Sequence, residues 1–194
     1  MSLYTIIPAK PFEEAKTRLA TDLSKQERIR LSRSLLTRTI GLARQIGQVV
    51  VVSRDKAVRK VAKNHGAWAI VESGMELNAA LQQATDWVLA QNGETTLILP
   101  ADLPLLTLVD LAGLVQRQQS AINVVIAPCH RGSGTNALLL SPPGIIPFFF
   151  GPNSFEQHFQ AANKAGLNPI IYRAPTVAFD LDLPEDLAQI DYAR

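Results

Sequence analysis

One carboxylate in the sequence comes directly after a buried strand and lies in an apolar setting. The segment 96–99, TLIL, predicts a short strand that is buried on both faces. Pro100 and Pro104 bracket a stiff turn, and Asp102 lies between them. An ionised carboxylate that is buried alone costs free energy, so Asp102 needs a cation, a metal ion or hydrogen-bond donors. The alternative is structural: Asp102 caps the helix predicted from Leu108 or closes its own turn.

Two further carboxylates, Asp180 and Asp182, alternate with apolar residues near the end of the sequence. This alternation predicts an extended strand with both carboxylates on one side. Together with Asp102 they would form an oxygen-only site, which suits Mg²⁺ and disfavours zinc because neither His nor Cys lies nearby in sequence. Helix capping is the alternative for Asp182, since Glu185 lies three residues further on, but capping does not explain Asp180.

Three cations, Lys10, Lys16 and Arg18, lie on the loop after the first predicted strand. A basic loop at the ligand-binding edge of a sheet can hold a polyphosphate, and backbone amides beside Pro8 and Ala9 can add donors. The alternative is a solvated, flexible loop. The sequence has neither a GxxxxGK[ST] loop nor a GxGxxG fingerprint, which argues against P-loop and dinucleotide-binding proteins.

Two turns rich in small residues, 132–136 and 151–154, carry hydroxyl and amide side chains. Such residues let backbone amides and Oγ atoms approach a phosphate or a carboxylate, although turns use the same residues for structural reasons. Ser154 is also predicted to open a helix, with Gln157 in the capping-box position. A hydrolytic triad is unsupported, because the sequence has no nucleophile elbow and its three histidines are scattered.

Length and composition limit the classes of protein. With 194 residues, 47% of them hydrophobic, the sequence predicts one globular domain over 1–194. A net charge of +2 is too small to indicate nucleic acid as a partner. We expect a cytoplasmic protein without a membrane partner, since neither a signal peptide nor a spanning segment is evident and Cys129 is the only cysteine. The run IIPFFF at 145–150 is typical of a core or a subunit contact, which leaves a homodimer open.

Strands and helices alternate from residue 3 to residue 127 without a linker. Continuous apolar strands between helices predict an α/β fold, with a mostly parallel central sheet covered by helices on both faces. Ligands bind at the carboxyl ends of such strands, so the loops 8–18, 72–78 and 100–106 should face one crevice. We expect strands at 3–7, 49–52, 68–71, 96–99, 123–127, 137–140 and 170–172, and helices at 55–65, 78–90 and 108–119, with further helices from residues 24, 154 and 184.

Six segments carry a combined motif: PAKPFEEAKTRLA, ELNAAL, LPADLPLL, GSGTNALLLSPP, FGPNSFEQH and FDLDLPEDL. In this order they resemble the 2-phospho-L-lactate guanylyltransferase family, whose bacterial relatives use phosphoenolpyruvate and which belongs to the MobA-like nucleotidyltransferases. The resemblance implies a Rossmann-like fold of the nucleotide-diphospho-sugar transferase (GT-A) type. It also implies transfer of GMP from GTP to a phosphorylated three-carbon acid, with release of pyrophosphate, in biosynthesis of the deazaflavin coenzyme F-420.

The resemblance also implies a role for each matching residue. It makes Asp102, Lys10 and Lys16 catalytic, and it gives Mg²⁺ to Asp102, joined by Asp180 or Asp182. It implies a GTP site formed by Pro8, Ala9, Lys10, Lys16, Arg18, Glu72, Asn78, Pro100 and Ala101, with the loop 72–78 near the guanine. It places the phosphate and carboxylate of the acceptor at Thr135, Asn136, Gly151 and Ser154.

Three alternatives remain open at the level of sequence. The chain can be a MobA-like nucleotidyltransferase with another base or acceptor, such as molybdopterin or a sugar phosphate. It can be a non-catalytic nucleotide-binding regulator, although the three aspartates and the basic loop argue against this. A purely structural α/β module would leave Asp102 without a partner. Within the enzyme interpretation, the sequence does not decide between phosphoenolpyruvate, 2-phospholactate and 3-phosphoglycerate.

Overall fold

A central seven-stranded sheet organises the computed structural model, which describes residues 2–74, 76–118 and 121–190. The strands are β1 (Leu3–Pro8), β2 (Gln48–Ser53), β3 (Trp68–Val71), β4 (Thr95–Ile98), β5 (Asn123–Pro128), β6 (Thr135–Ser141) and β7 (Ile170–Ile171). Their order in the sheet is β3-β2-β1-β4-β6-β5-β7. Every neighbouring pair is parallel except the two pairs that contain β6. The prediction of a mostly parallel sheet is therefore confirmed.

The helices cover both faces of this sheet, as predicted. Val50 and Val52 of β2 pack into one apolar cluster, whereas the alternating Val49 and Val51 pack into another. Residues of α3 and α5 belong to the first cluster, residues of α1 and α2 belong to the second, and residues of α4 belong to a third cluster. The helices are α1 (Lys25–Ala43), α2 (Lys56–Asn64), α3 (Leu77–Ala90), α4 (Leu108–Gln116), α5 (Ser154–Lys164), α6 (Pro175–Ala178) and α7 (Pro184–Leu187), with a 3-10 turn at Thr17–Leu19.

The predicted helix ends agree with the structure to within about one residue, apart from one predicted end that lies outside the described residues. The fourth predicted helix was expected to reach Gln119, which the structure does not describe, and α4 ends at Gln116. Ser24 and Glu27 form the predicted capping box at the start of α1. Asp55 accepts a hydrogen bond from the Ala57 amide, which begins α2.

The interpretation of Asp102 as the cap of α4 is wrong. Thr107 occupies the N-cap position, and its hydroxyl accepts a hydrogen bond from the Asp110 amide at 3.2 Å. The carboxylate of Asp110 accepts in return from the Thr107 amide at 2.8 Å. A complete capping box leaves α4 without need of another carboxylate, so the Asp102 side chain is available for a different partner.

Two other capping assignments are also wrong. At α7 the N-cap residue is Leu183, and the Asp186 carboxylate accepts from the amides of Leu183 and Asp182. At α5 the N-cap residue is Asn153, so Ser154 already lies inside the helix. Its Oγ accepts from the Thr135 amide at 2.9 Å, a contact across the cleft wall rather than a cap. In each case the N-cap lies one residue away from the predicted position, so spacing alone misassigned it.

The direction of β6 places residues that the sequence reasoning could not place. Only residues 129–134 separate β5 from β6, too few for a parallel crossover, so the two strands form an antiparallel hairpin. Thr135 therefore pairs with Pro128, at the carboxyl end of β5. The beginning of β6, which starts two residues before the predicted strand, thus lies at the ligand-binding edge.

The predicted strand around Asp180 is absent from the described segment 179–183, which follows α6 and is irregular. Burial nevertheless alternates along it, because Phe179 and Leu181 are buried while Asp180 and Asp182 are partly exposed. The two carboxylates therefore share a side, as expected, without belonging to the sheet.

The run IIPFFF contributes to the core, since Ile146 and Phe148 are buried in the cluster beneath α3.

Among residues 2–74, 76–118 and 121–190, no helix has the length and apolarity that a bilayer crossing requires.

A substitution at Leu97 of β4 tests the packing of the sheet core. Leu97 is fully buried, and replacing it by alanine leaves a cavity, so Leu97→Ala should lower the free energy of unfolding by about 2–5 kcal/mol. Leu89→Ala is the matched control, because Leu89 is 47% exposed on α3 and should cost less than about 0.5 kcal/mol. Urea unfolding measures both. Equal losses in the two variants would contradict the assigned core.

Candidate active site

A cleft of about 750 Å³ opens where the parallel strands end, between the loops that follow β1 and β4 and the beginning of β6. Nearly all of the candidate residues line it, which is the arrangement expected for the ligand edge of an α/β sheet. Those residues are Pro8, Ala9, Lys10, Lys16, Arg18, Glu72, Pro100, Ala101, Asp102, Thr135, Asn136, Gly151, Ser154, Asp180 and Asp182.

The Lys16 side chain connects two of the candidate carboxylates. Its Nζ lies 3.1 Å from Asp102 Oδ2 and 3.1 Å from Asp182 Oδ1, and the side chain is only 10% exposed. Burial alone would lower the pKa of Lys16, but the two carboxylates outweigh that effect and raise the pKa above 10.5. Lys16 is therefore a buried cation with two anionic partners rather than part of a solvated loop.

The backbone fixes the two carboxylates relative to each other. The Leu99 amide donates to the Ile6 carbonyl and extends the β1–β4 pairing towards the Pro100 turn. Beyond that turn, the carbonyl of Asp102 accepts from the Leu181 amide at 3.0 Å. A backbone hydrogen bond thus joins Asp102 to Leu181, the residue before Asp182. It holds the two carboxylates near the Lys16 ammonium that they share.

Arg131 and Asp186 support this acidic pair, and the sequence reasoning missed both. The Arg131 guanidinium donates to Asp180 at 3.1 Å and to both oxygens of Asp186 at 3.0 Å. Burial would raise the pKa of Asp186, but hydrogen bonds from the Leu183 and Asp182 amides and from Arg131 lower it overall. A signal for Asp186 did exist, because it lies three residues after Leu183, the N-cap of α7.

The outer part of the basic loop is more open. Lys10 is exposed, and the Arg18 side chain is 70% exposed with its guanidinium 3.8 Å from Asp182. The backbones of Pro8 and Ala9 themselves offer no donor to a ligand, and the contribution of amides beside them stays a prediction. Proline has no N–H, and the Ala9 amide donates to the Val52 carbonyl as a continuation of the sheet. Side chains, not these two amides, supply the donors here.

Glu72 and Asn78, the two residues predicted to lie near the guanine, differ in position. The Glu72 side chain lines the cleft, is 9% exposed and lies beside Arg54, whose amide donates to it at 3.2 Å. Asn78 instead exchanges two hydrogen bonds with the backbone of Phe150, at 2.8 and 3.1 Å. Asn78 therefore holds the cleft wall in place, and it is the one candidate outside the lining.

The opposite wall combines two hydroxyls with a histidine that the sequence did not single out. The Thr135 amide donates to Ser154 Oγ, and Thr135 Oγ1 lies 3.0 Å from His158 Nδ1. Burial lowers the pKa of His158 to about 4, so its ring is neutral near pH 7. The side-chain amide of Asn136 donates to the carbonyls of Val177 and Ala178, so its N–H groups are occupied by contacts with α6.

The donor set at the acidic pair fits Mg²⁺. Within the described parts of the chain, no group of three or more His, Cys, Asp or Glu side chains could hold a metal ion. Oxygens of Asp102 and Asp182 do converge on one cation, the Lys16 ammonium. Mg²⁺ is commonly bound by one or two carboxylates, with water and substrate phosphates completing its coordination. The residues present match that mode of binding.

Comparison with known proteins decides the family. Residues 3–191 match the family model described as guanylyl transferase CofC like. The chain belongs to the CofC-like guanylyl transferase family. It is 42% identical to the phosphoenolpyruvate guanylyltransferase of Rubrobacter xylanophilus, over 98% of this chain and 94% of that protein. It is 37% identical to the 2-phospho-L-lactate guanylyltransferase of Methanothermobacter thermautotrophicus, over 98% of this chain and 84% of that protein.

Solved structures give the fold of this CofC-like protein independently. A candidate nucleotide-diphospho-sugar transferase from Desulfovibrio desulfuricans superposes with a TM-score of 0.76 at 16% identity, over 96% of this chain and 85% of that one. A 4-diphosphocytidyl-2C-methyl-D-erythritol synthase from Anaerococcus prevotii gives 0.67 at 9% identity, over 97% and 93%. The predictions of the family, of an enzyme that transfers nucleotidyl groups and of the nucleotidyltransferase fold are confirmed.

The buried, neutral His158 predicts a pH dependence of stability. The unfolded chain takes up a proton at this histidine below about pH 6.5, whereas the folded chain does so only near pH 4. Stability from this group is thus complete above pH 6.5 and is lost as the pH falls to 4, by roughly 3 kcal/mol. In His158→Asn the decline in unfolding free energy over this interval should be smaller. Urea unfolding at several pH values measures it, and an unchanged decline would refute the assignment.

Proposed function

We propose that this CofC-like protein transfers GMP from GTP to a phosphorylated three-carbon acid and releases pyrophosphate. The observation that carries the proposal is the convergence of Lys16, Asp102 and Asp182 at 3.1 Å in the cleft. A cation and carboxylates at the carboxyl edge of the sheet suit a phosphorylated ligand and its metal ion. The membership of the chain in a guanylyl transferase family supports GTP as the donor.

The nucleotide would occupy the side of the cleft formed by the loops after β1 and β3. Lys10, Lys16 and Arg18 would hold the phosphates, since all three line the cleft and the exposed pair can reach a flexible triphosphate. Pro100 and Ala101 line the same cleft. The base would lie towards Glu72, whose carboxylate can accept hydrogen bonds from the N1–H and amino groups that distinguish guanine.

Asp102 and Asp182 would hold Mg²⁺, with Asp180 close by. When bound there, the ion supplies positive charge to neutralise the reacting phosphates. Arg131 and Asp186 keep Asp180 and the backbone of Asp182 in position. The protein side chains thus contribute orientation, and the remaining cations offset the charge of the departing pyrophosphate.

The acceptor needs no general base in this reaction. Its phosphate has a second pKa near 6 and is already largely dianionic at neutral pH. One of its oxygens forms a bond to the α-phosphorus of GTP while the bond from that phosphorus to the pyrophosphate oxygen breaks. No proton has to be removed from the nucleophile. The buried, neutral His158 fits this scheme, because it is not placed to act as a base in solvent.

Thr135 and Ser154 would hold the acceptor's phosphate and carboxylate, with Gly151 allowing close approach. Gly151 has a φ of 139°, a conformation that side-chain-bearing residues rarely adopt. We propose phosphoenolpyruvate as the first acceptor to test, because the 42% identical relative carries that activity in its name. The 2-phospho-L-lactate enzyme, at 37% identity, makes that acid the second candidate. Either product would serve the biosynthesis of coenzyme F-420.

Pyrophosphate release tests the activity directly. The purified protein with GTP and Mg²⁺ should release pyrophosphate on addition of phosphoenolpyruvate or 2-phospho-L-lactate, and 3-phosphoglycerate tests the remaining acid. ATP and CTP in place of GTP are the controls for the base. Release with none of the three acids would reject the proposed function, whereas release with ATP at the same rate would reject the guanine preference.

Asp102→Asn tests the acidic pair. The change preserves shape but removes the negative charge that faces Lys16 and would bind the metal ion, so kcat should fall roughly 100-fold or more. Asp86→Asn is the matched control, because Asp86 is exposed on α3 and away from the cleft. Steady-state kinetics at saturating Mg²⁺ measure both. A wild-type rate in Asp102→Asn would show that this carboxylate is not part of the catalytic site.

A further inference from the structure

His158 is a buried polar side chain that the proposed reaction does not use. It lies on α5 with no exposed surface, behind the cleft wall. Its two ring nitrogens contact two different elements. Nδ1 lies 3.0 Å from Thr135 Oγ1 at the beginning of β6, and Nε2 lies 3.0 Å from the amide nitrogen of Phe149.

The backbone contact determines the tautomer of the ring. The Phe149 amide can only donate, so Nε2 must accept and cannot carry a proton. A neutral imidazole has one proton, which then lies on Nδ1. The ring cannot charge near neutral pH without placing an N–H against the Phe149 N–H. Burial lowers the pKa of His158 to about 4, in agreement with this geometry.

The tautomer in turn determines the role of the Thr135 hydroxyl. Since Nδ1–H donates, Thr135 Oγ1 accepts, and its own O–H must point to another acceptor. In the part of the chain that the structure describes, no second side-chain or backbone partner of Thr135 Oγ1 is present. Thr135 is only 5% exposed but lines the cleft, so an acceptor for its proton would have to come from a ligand bound there. The Thr135 amide donates to Ser154 Oγ, and Ser154, 2% exposed, lines the same cleft.

The surrounding aromatic rings keep the imidazole in this orientation. The Phe150 ring lies edge-on to it, with 4.8 Å between centroids and 64° between planes, and the Phe149 ring lies 6.1 Å away. Rotation of the ring would exchange nitrogen for carbon at both hydrogen bonds and would leave the Phe149 amide without an acceptor. The orientation is therefore determined by packing and hydrogen bonding together.

We propose that His158 is a positioning residue for the acceptor acid: it makes the Thr135 hydroxyl an obligate donor to an anionic oxygen in the cleft. The inference rests on the proposed function, which places the acceptor's phosphate or carboxylate at Thr135 and Ser154. A hydroxyl that can only donate favours an anion over a neutral or donating group. The chain of hydrogen bonds from the Phe149 amide through His158 thus selects for the charge of the acceptor.

Nitrogen NMR of ¹⁵N-histidine-labelled protein tests the tautomer without any turnover. At pH 7.5 one histidine should show a protonated Nδ1 and an unprotonated Nε2, and its signals should be absent from His158→Asn. Only three histidines are present, so this single variant assigns the signals. An Nε2–H tautomer or a charged ring at His158 would overturn the proposal.

Steady-state kinetics then test whether the effect passes through Thr135. His158→Gln keeps an acceptor for the Phe149 amide but loses the donor to Thr135, so it should raise KM for phosphoenolpyruvate about tenfold. His158→Asn, whose amide can replace the Nδ1–H donor, should raise that KM less. Thr135→Val should raise it about tenfold on its own. KM for GTP should stay within about twofold in all three variants.

The double variant separates positioning from a general loss of structure. In a Thr135→Val background, His158→Gln should add no further increase in KM, because the hydroxyl that it orients is gone. Fully additive increases would show a structural role for His158 and overturn the proposal, while the proposed function would stand. If Thr135→Val left KM for the acceptor unchanged, the acceptor site of the proposed function would itself be wrong, and this inference would fall with it.

Discussion

The Lys16 ammonium joins three parts of the chain that are far apart in sequence. It lies on the loop after β1, and its two carboxylate partners come from the turn after β4 and from the segment before α7. The Lys16 side chain is only 10% exposed and would be unfavourable without an anionic partner, whereas Asp102 and Asp182 keep 30% and 37% of their side chains exposed, so it is the lysine that requires the carboxylates. The backbone hydrogen bond between Asp102 and Leu181 brings the carboxylates of Asp102 and Asp182 together. Arg131 and Asp186, which bind each other, hold the segment that carries Asp180 and Asp182. The geometry of the cleft depends on this pairing.

The fold was predictable from the sequence where local pattern decides it. Apolar strands between amphipathic helices specified a covered, mostly parallel sheet, and the loops after β1, β3 and β4 were expected to meet at one edge, as they do. The direction of β6 was not predictable in the same way, because an apolar strand has the same pattern in either direction. The short loop 129–134 was the available signal. It brings Thr135 to the ligand edge, which a continued parallel pattern would have placed at the other end.

The candidate site shows the same division. Lys16, Asp102 and Asp182 could be chosen because charge beside apolar strands is unusual, and the sheet topology brings them together. Arg131 and His158 could not, because their partners lie many residues away and nothing in the local sequence indicates them. Capping was the weakest inference. The capping alternatives considered for Asp102 and Asp182 were wrong, because Thr107 and Leu183 hold the N-cap positions.

The position of Lys16 also bears on the order in which ligands would bind. A free divalent cation that approaches Asp102 and Asp182 must compete with an ammonium that already neutralises them. A cation that arrives on a nucleotide brings phosphate oxygens, which give the displaced ammonium a new anionic partner in the same step. If the proposed reaction is correct, the Lys16 ammonium therefore favours binding of the metal ion and the nucleotide together, as one complex. In the free protein the same ammonium disfavours binding of a metal ion alone at Asp102 and Asp182.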